Sequence, residues 1–353
     1  MTATTLTERI RALPKAELHL HLEGTLEPEL LFELAGRNRV SLRYATVEAV
    51  RAAYRFADLQ AFLDVYYEAA ATLRTERDFH DLTVAYLDRV ALDGARRVEV
   101  FFDPQTHTVR DVAMGTVIEG IVSGLEEGER RHGITSGLIL CFLRHLPAGE
   151  AMVTFEAALP FREHLLGVGL DSGEVGNPPS RFTAVFERAR AEGLHVVAHA
   201  GEEGPPDYVH EALDLLGAER IDHGVRSLED PELVDRLVRD QVPLTVCPLS
   251  NLALRVVDRL EDHPLPALLA AGIPVSINSD DPAYFGGYLG DNYLAAHEVL
   301  GLGLPQLAAI ARSSLAACFV DADERDRLLA AFDEHVAGDP ELALDPDPGG
   351  DPT

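Results

Sequence analysis

The chain has 353 residues, of which 46% are apolar and 25% are charged, an ordinary balance for a globular protein with a large buried core. Its formal net charge of −29 argues against binding nucleic acid or an anionic membrane through a basic patch, whereas a neutral or cationic small substrate fits. The three cysteines, Cys141, Cys247 and Cys318, are widely spaced, which excludes a disulfide framework and a cysteine zinc knuckle.

The amino terminus contains no apolar signal core, and no segment approaches the roughly 18 apolar residues of a membrane span. The sequence therefore predicts a cytoplasmic protein. Lys15 is the only lysine, and it comes just before the first predicted strand. That position excludes enzymes that depend on a Schiff-base lysine, a P-loop lysine or a metal-bridging carboxylated lysine deep in the chain.

Eight short runs with strand-like composition recur along the chain, separated by stretches with helical spacing. The predicted strands span residues 17–22, 97–102, 136–142, 165–170, 194–199, 219–222, 242–247 and 274–279. Two of the intervening helices are expected over 180–193 and 230–241, with Ser180 and Asp230 as their capping residues. Eight strands alternating with helices predict an α/β protein with the TIM (β/α)8 barrel fold. A doubly wound sheet would also alternate in this way, but neither a GxGxxG turn nor a GxxxxGK motif is present.

The interval between the first two predicted strands is too long for one helix, so we expect extra helices there, over 27–37 and 56–73. The apolar face of the second segment fits either of two interpretations: packing on the barrel rim, or an apolar lid over the active site. Residues 1–337 are predicted to form a single domain. The remaining residues, 338–353, are acidic and rich in proline and glycine, which predicts a disordered tail.

Polar residues fall where the predicted strands end, which is the edge at which TIM barrels carry their chemistry. In the stretch AELHLHLEG, strand alternation puts His19 and His21 on one face, opposite the intervening leucines. The later strands end in or are followed by His199, Glu202, Asp222, His223, Asp280 and Asp281. Asp222 has a second interpretation, as a residue that orients His223 or caps the following turn.

Three imidazoles and one carboxylate, from His19, His21, His199 and Asp280, form a ligand set that suits zinc. Iron, cobalt and manganese stay open as alternatives. A metal in such a site lowers the pKa of bound water from about 15.7 to near 7. A buried carboxylic acid nearby can donate a proton to the substrate, and a further histidine can hold or deprotonate the water. The ligands alone leave phosphoester, amide and amidine hydrolysis open.

Five segments, KAELHLHLEGTLEPE, VAHAGEEG, RIDHGV, TVCPLSN and SINSDDPAYFGGY, resemble the successive motifs of the adenosine/adenine deaminase family of metal-dependent hydrolases. The resemblance runs in order from about residue 10 to residue 335. It implies a TIM barrel that binds one zinc ion per chain. Position by position, it implies metal binding by His19, His21, His199 and Asp280, protonation of purine N1 by Glu202, assistance to the attacking water by His223, and contact with N7 by Asp281. Hydroxide would then add to C6, and ammonia would leave.

Within that family, HLEGTLEPELLF, FFDPQTH, LDSGEVGNPP, CPLSN and SDDPAYFGGY resemble the branch that acts on adenine, which it converts to hypoxanthine in purine salvage. Adenosine-specific members usually carry HLDGA, where this chain has Glu23 and Thr25. We hypothesise that Glu23 fills the sugar space or binds the N9 edge of a free base. The family segment whose backbone amide contacts N3 falls near Gly173 and Glu174, so the resemblance implies substrate binding there.

Several alternatives accompany this interpretation. The substrate could instead be adenosine or another 6-aminopurine nucleoside, such as aminodeoxyfutalosine. A metal-dependent phosphoesterase on the same scaffold would be expected to show two-metal ligands or an arginine cluster. An inactive purine-binding relative would be expected to lack the proposed acid Glu202, which is present. The expected partner is a small purine, and the sequence leaves the oligomeric state open.

Overall fold

Eight parallel strands, each hydrogen-bonded to the next in chain order, form the centre of the molecule. The structure, a computed structural model, describes residues 5–54, 56 and 59–343. The strands are β1 (Lys15–Glu17), β2 (Ala95–Phe102), β3 (Thr135–Leu143), β4 (Leu165–Asp171), β5 (His195–Ala200), β6 (Arg220–His223), β7 (Leu244–Val246) and β8 (Val275–Ile277). The predicted barrel is confirmed.

The first strand is shorter than predicted, because β1 ends at Glu17 instead of continuing to residue 22. The chain nevertheless stays extended between its two neighbours. The Leu20 carbonyl accepts a hydrogen bond from the Phe101 amide (2.8 Å), and the His21 amide donates to the Asp280 carbonyl (3.0 Å). These contacts join the end of the first strand segment to both β2 and the residues after β8, and they close the barrel at the edge where the polar residues lie.

Helices surround the strands. The α-helices span Leu6–Ala12, Pro28–Asn38, Val47–Ala53, Leu59–Ala70, Glu76–Val90, Pro104–Thr108, Met114–His132, Ala148–Ala158, Thr183–Ala191, Pro206–Glu211, Pro231–Asp240, Pro248–Ala253, Leu265–Ala270, Pro282–Phe285, Leu289–Glu298, Leu304–Ala316 and Ala322–Ala337. Among the described residues, none of these helices is both long and apolar enough to traverse a bilayer.

The two caps predicted from the sequence behave differently. Asp230 caps the helix that follows it, since its Oδ1 accepts from the backbone amides of Glu232 (3.0 Å) and Leu233 (3.4 Å). Ser180 is not a cap, and that prediction was wrong. Ser180 lies inside a 3₁₀ turn over Pro179–Phe182, so Phe182 is the residue that precedes the α-helix, which begins only at Thr183.

The segment between β1 and β2 contains the extra helices that were expected, and one of them, Leu59–Ala70, lies across the barrel mouth. Its Phe62 packs against Tyr284 and Phe285 of the short helix Pro282–Phe285 that follows β8, with ring centroids 5.5 and 4.9 Å apart. Tyr66 contacts Tyr284 in the same way, at 5.9 Å. These aromatic contacts hold the helix over the carboxyl edge of the barrel.

The predicted tail begins too early. Pro340–Leu342 forms a 3₁₀ turn in which Leu342 is buried, and Asp339 pairs with Arg9 at 3.3 Å. An apolar side chain and an ion pair therefore fix the first six residues of that segment against the domain, although its composition suggested disorder. The rest of the predicted tail, residues 344–353, lies outside the described residues.

Candidate active site

The two histidines of the first segment reach the barrel axis side by side. Both side chains are buried, and the Phe101 ring lies against them, with centroids 5.4 Å from His19 and 5.2 Å from His21. Leu18, Leu20 and Leu22 are also buried, on the opposite side of the chain, because successive side chains of an extended segment alternate. The predicted alternation therefore holds although the residues lie just past the assigned strand.

Four donor atoms converge at this point from three places in the barrel. Nε2 of His199 lies 3.2 Å from Nε2 of His19 and 3.2 Å from Nε2 of His21. Oδ1 of Asp280 lies 3.4 and 3.5 Å from the same two nitrogens. Donors arranged tetrahedrally at zinc-like bond lengths of about 2.0–2.2 Å would be separated by about 3.3–3.5 Å. The spacing of this buried cluster therefore fits a metal ion.

The outward-facing nitrogens of the histidines contact protein oxygens. Nδ1 of His19 lies 3.0 Å from the Thr245 carbonyl and 3.0 Å from its hydroxyl, which in turn donates to Asp222 (2.8 Å). The other oxygen of Asp222 lies 3.4 Å from Nδ1 of His199. Such contacts favour a proton on Nδ1 and leave the Nε2 lone pair free for a metal. Asp222 thus contacts His199, which differs from the alternatives of orienting His223 or capping a turn.

The charges of these groups suit metal binding. Burial, together with the nearby imidazoles, lowers the pKa of His199 to about 4, so its ring is neutral at physiological pH. Burial opposes ionisation of Asp222, but its contacts with His199 and His19 lower its pKa to about 2. The His199 ring is therefore a neutral donor supported by the ionised carboxylate of Asp222.

Backbone strain sets the direction of two side chains in the site. His223 has φ 62° and Asp280 has φ 64°, values in the left-handed region that L-residues other than glycine rarely adopt. Each such residue costs of the order of 1–3 kcal/mol, and clusters of them are typical of functional sites. At the ends of β6 and β8, these turns redirect both side chains toward the donor cluster.

Glu202 and His223 lie together beside that cluster. Oε2 of Glu202 is 3.5 Å from Nε2 of His223, and its Oε1 has no hydrogen-bond partner among the described residues. Burial, reinforced by the charge of Asp280, raises the pKa of Glu202 well above its usual range. Burial lowers the pKa of His223, so its ring is neutral. The pair thus offers a protonated acid and a neutral imidazole to the same space.

A residue that the sequence reasoning missed fixes the tautomer of His223. The Asn251 side-chain amide lies 3.3 Å from Nδ1 of His223, and the Asn251 side-chain oxygen faces Nε2 of His263 at 3.1 Å. If the amide donates to Nδ1, the remaining proton of the neutral ring is on Nε2. Asn251 ends the quoted motif TVCPLSN, whose motif context was the only sequence signal for it.

The loop that carries Glu202 is organised by Glu174. The Glu174 carboxylate accepts hydrogen bonds from four successive backbone amides, those of Gly201 (2.7 Å), Glu202 (3.1 Å), Glu203 (2.9 Å) and Gly204 (2.8 Å). Both of its oxygens are therefore occupied by the loop, which differs from the expected contact with substrate. Gly201 has φ 71°, a conformation that glycine adopts without strain and that allows the chain to turn at this point.

We expect Glu174→Gln to reduce kcat/KM by about 10- to 100-fold while the metal content stays unchanged. The new NH2 group faces backbone donors instead of accepting from them, and small displacements of a catalytic side chain have effects of this size. Glu203→Gln, a half-buried neighbour on the same loop, is the matched control and should keep wild-type kinetics. Wild-type kcat/KM in Glu174→Gln, or loss of its metal, would contradict the assignment.

The site opens into a cavity with an apolar and a polar wall. Its apolar wall consists of Phe62, Leu63, Tyr66, Tyr67, Leu143 and Leu254. The first four of these belong to helix Leu59–Ala70, so the lid interpretation of that segment is confirmed: it covers the site as well as packing on the rim. The polar wall consists of His21, Asp103, Asp171, Ser172, His199, Glu202, His223, Asp280 and Asp281.

Asp281 is on this wall, buried, and its Oδ1 has no hydrogen-bond partner among the described residues. Burial and the neighbouring Asp280 raise its pKa well above the usual range. Gly24 packs directly against it, since a Cβ at Gly24 would overlap the Asp281 carboxyl group. The glycine of the HLEG motif therefore makes room for this carboxyl group.

Glu23 lies behind the cavity wall. Its Oε1 accepts from Nε2 of His107 (2.7 Å) and from the Asp103 amide (3.2 Å), and it is buried. Arg110 donates to Nδ1 of His107 (2.8 Å), so the histidine carries its proton on Nε2 and donates it to Glu23. Burial opposes ionisation, but this hydrogen bond gives Glu23 a lowered pKa. Glu23 thus supports the wall residue Asp103, which differs from the hypothesis of direct substrate contact.

Gly173 follows the wall residue Ser172, and its carbonyl accepts from the Asn177 side chain (2.9 Å). Contact between its amide and a substrate stays a prediction. Asp103 and Asp171, by contrast, are wall carboxylates that the sequence reasoning did not select. The available signal was their position at strand ends, directly after β2 and at the end of β4, as for the other site residues.

An eight-stranded parallel barrel with three imidazoles and a carboxylate clustered at its carboxyl edge defines a metal-dependent hydrolase. The sequence model of the adenosine deaminase family matches residues 14–335. The chain therefore belongs to the adenosine deaminase family.

Individual relatives agree with this assignment. The adenine deaminase of Streptomyces coelicolor is 60% identical over 330 residues, 93% of this chain and 97% of that protein. The adenine deaminase of Cupriavidus necator is 55% identical over 335 residues, 95% of each chain. The crystal structure of adenine deaminase from Arthrobacter aurescens superposes with a TM-score of 0.91 at 50% identity, covering 92% of this chain and all of that one. An amidohydrolase from Burkholderia ambifaria, solved with bound Zn, has a TM-score of 0.85 at 26% identity over 95% of each chain.

Proposed function

We propose that this protein hydrolyses the 6-amino group of adenine, a cyclic amidine, and releases hypoxanthine and ammonia. The observation that carries the proposal is the placement of the protonated acid Glu202 and the neutral imidazole of His223 beside the buried donor cluster, in one covered cavity. The relatives named adenine deaminase, which are 54–60% identical over most of the chain, support adenine as the substrate. A role in cytoplasmic purine salvage is part of the same proposal.

We assign His19, His21, His199 and Asp280 as the residues that hold one zinc ion. The bound ion would supply Lewis acidity, which lowers the pKa of water to near neutrality. The borderline donor set and the 3.2–3.5 Å spacing support zinc, as does the zinc-bound relative. Asp222, Thr245 and Asp171 orient the imidazoles through their outward nitrogens.

The chain's own groups then divide the proton transfers. Glu202, protonated because burial raises its pKa, donates to N1 and so increases the electrophilicity of C6. His223, a neutral ring with its proton on Nε2, donates a hydrogen bond that holds the attacking water. Asp281, which also holds its proton, donates to N7, and the Gly173 amide donates to N3. Each nitrogen with a lone pair on the purine edge thereby meets a donor.

The cavity wall also bears on the phosphoesterase alternative. Among the described residues, neither arginine nor lysine lines this cavity, whereas four carboxyl groups outside the donor cluster do: Asp103, Asp171, Glu202 and Asp281. Phosphate recognition relies on cationic donors, and carboxylates oppose it. This distribution of charge favours a neutral purine over a phosphoester.

The test is to mix the metal-loaded protein separately with adenine, adenosine and aminodeoxyfutalosine and to follow ammonia release. We expect adenine to be deaminated with the highest kcat/KM. Release of ammonia from none of the three would overturn the proposed reaction, and a preference for either nucleoside would overturn the proposed substrate.

A further inference from the structure

Asp103 is a buried carboxylate on the cavity wall that the proposed chemistry leaves without a role. It follows β2 directly, is 3% exposed, and its Oδ2 accepts from the Tyr66 hydroxyl of the lid helix (3.1 Å). Its Oδ1 receives no hydrogen bond from the described residues, and the carboxyl group of Asp171 lies beside it. A buried polar atom without a partner is costly, so a wall atom of this kind indicates a place where a ligand supplies the missing donor.

The order of the strands indicates which edge of the purine meets Asp103. In the direction of increasing strand number around the closed barrel, the wall carboxyl groups come in the order Glu202 (after β5), Asp281 (after β8), Asp103 (after β2) and Asp171 (end of β4). Around the edge of adenine, starting at N1 and passing through C6, the ring nitrogens come in the order N1, N7, N9 and N3. With N1 at Glu202 and N7 at Asp281, the next position on the ring is N9 and the next wall residue is Asp103.

The tautomer of the base agrees with this order. The predominant tautomer of neutral adenine carries its imidazole hydrogen on N9, so N9 offers a donor and N7 offers a lone pair. We propose that the free Oδ1 of Asp103 accepts a hydrogen bond from the N9–H of adenine, and that Asp103 thereby selects the free base over N9-substituted purines. This inference rests on the proposed function, since it uses the assigned position of the purine.

The residues behind Asp103 hold it in place for this contact. Glu23 accepts a hydrogen bond from the Asp103 backbone amide, and Glu23 is itself fixed by His107 and Arg110. Tyr66 occupies the second side-chain oxygen of Asp103. One oxygen is therefore left to accept a donor, and the direction of the side chain is set from both the strand side and the lid side.

The experiment compares adenine with 9-methyladenine, which lacks the N9 hydrogen, in wild type and in Asp103→Ala. A hydrogen bond to a carboxylate corresponds to about a 10- to 100-fold preference. We expect wild type to favour adenine by about this factor in kcat/KM, and Asp103→Ala to lose most of the preference by losing activity on adenine. His195→Ala, at the start of β5 and outside the cavity lining, is the control and should keep the wild-type ratio.

A wild-type ratio in Asp103→Ala overturns the inference. If that variant does not fold, Asp103→Asn takes its place, since it has the same shape and a weaker, neutral acceptor; its ratio should fall, and an unchanged ratio again overturns the inference. Adenosine serves as a third substrate, and we expect its kcat/KM relative to adenine to rise in Asp103→Ala. Failure of wild type to deaminate adenine would instead overturn the proposed function, so the two failures are distinguishable.

Discussion

Glu202→Gln should keep its metal, and its kcat on adenine should be about 10²–10⁴-fold lower than that of wild type, the range typical of general acid–base groups. Glutamine has nearly the same shape as glutamic acid, so the backbone contacts of the loop with Glu174 are retained. It carries no acidic proton for N1. Because Glu202 is not among the four clustered donors, metal content measured on the purified variant should match wild type.

The pH profile adds a second readout for the same group. The raised pKa keeps Glu202 protonated at neutral pH, so the active form is lost as pH rises through that pKa. We expect wild-type kcat/KM to fall on the alkaline side and the residual activity of Glu202→Gln to lack that fall. Wild-type turnover in Glu202→Gln, or an identical alkaline fall, would contradict its role as proton donor.

Removal of the metal should abolish turnover of adenine, and addition of zinc should restore it. The apo protein should also have a lower Tm, because an ion that binds only the folded state stabilises it by about 2.7 kcal/mol when its concentration is 100 times the Kd. The clustered nitrogens of His19, His21 and His199 supply the physical reason, since they exist as a preformed set only in the folded chain. Differential scanning fluorimetry with and without a chelator measures the shift.

Two histidines on the same strand provide a matched pair for this experiment. His199→Ala removes a donor of the cluster and should lose both the zinc-dependent Tm shift and activity. His195→Ala, at the start of β5, removes a contact with Glu219 and a stacked contact with the Phe319 ring but no donor of the cluster, and it should keep both. Full activity of the chelated protein, or retention of the zinc-dependent shift in His199→Ala, would count against the assigned ligands.

Much of the site was predictable because its residues follow a local rule. In a barrel of parallel strands, the carboxyl ends meet at one edge, so a polar residue that ends an apolar run is near the others wherever it lies in the chain. This rule selects His199, Glu202, His223 and Asp280 from the amino-acid sequence, and they do lie together. The same rule applied to every strand would also have selected Asp103 and Asp171.

The resemblance to a family identified the motifs of the site, but it did not predict which groups each side chain contacts. Glu23 and Glu174 fall in segments associated with substrate contact, yet their carboxylates contact protein groups. Glu174 accepts four amides from a loop about 27–30 residues further along the chain, and Glu23 accepts from His107, 84 residues away. Contacts over such separations depend on how the elements pack, which neither periodicity nor motif spacing specifies.

The fold class, the edge that carries the chemistry and most of the proposed ligand set could be predicted from the amino-acid order, because alternation along a strand and the order of strands in a barrel are local or topological properties. Three features became visible only in the folded chain: helix Leu59–Ala70 covers the site, Glu174 and Glu23 act behind the wall, and Asp103 presents a free oxygen to the cavity. Those outcomes depend on side-chain direction and on hydrogen bonds between distant segments, and both are fixed only when the elements pack together.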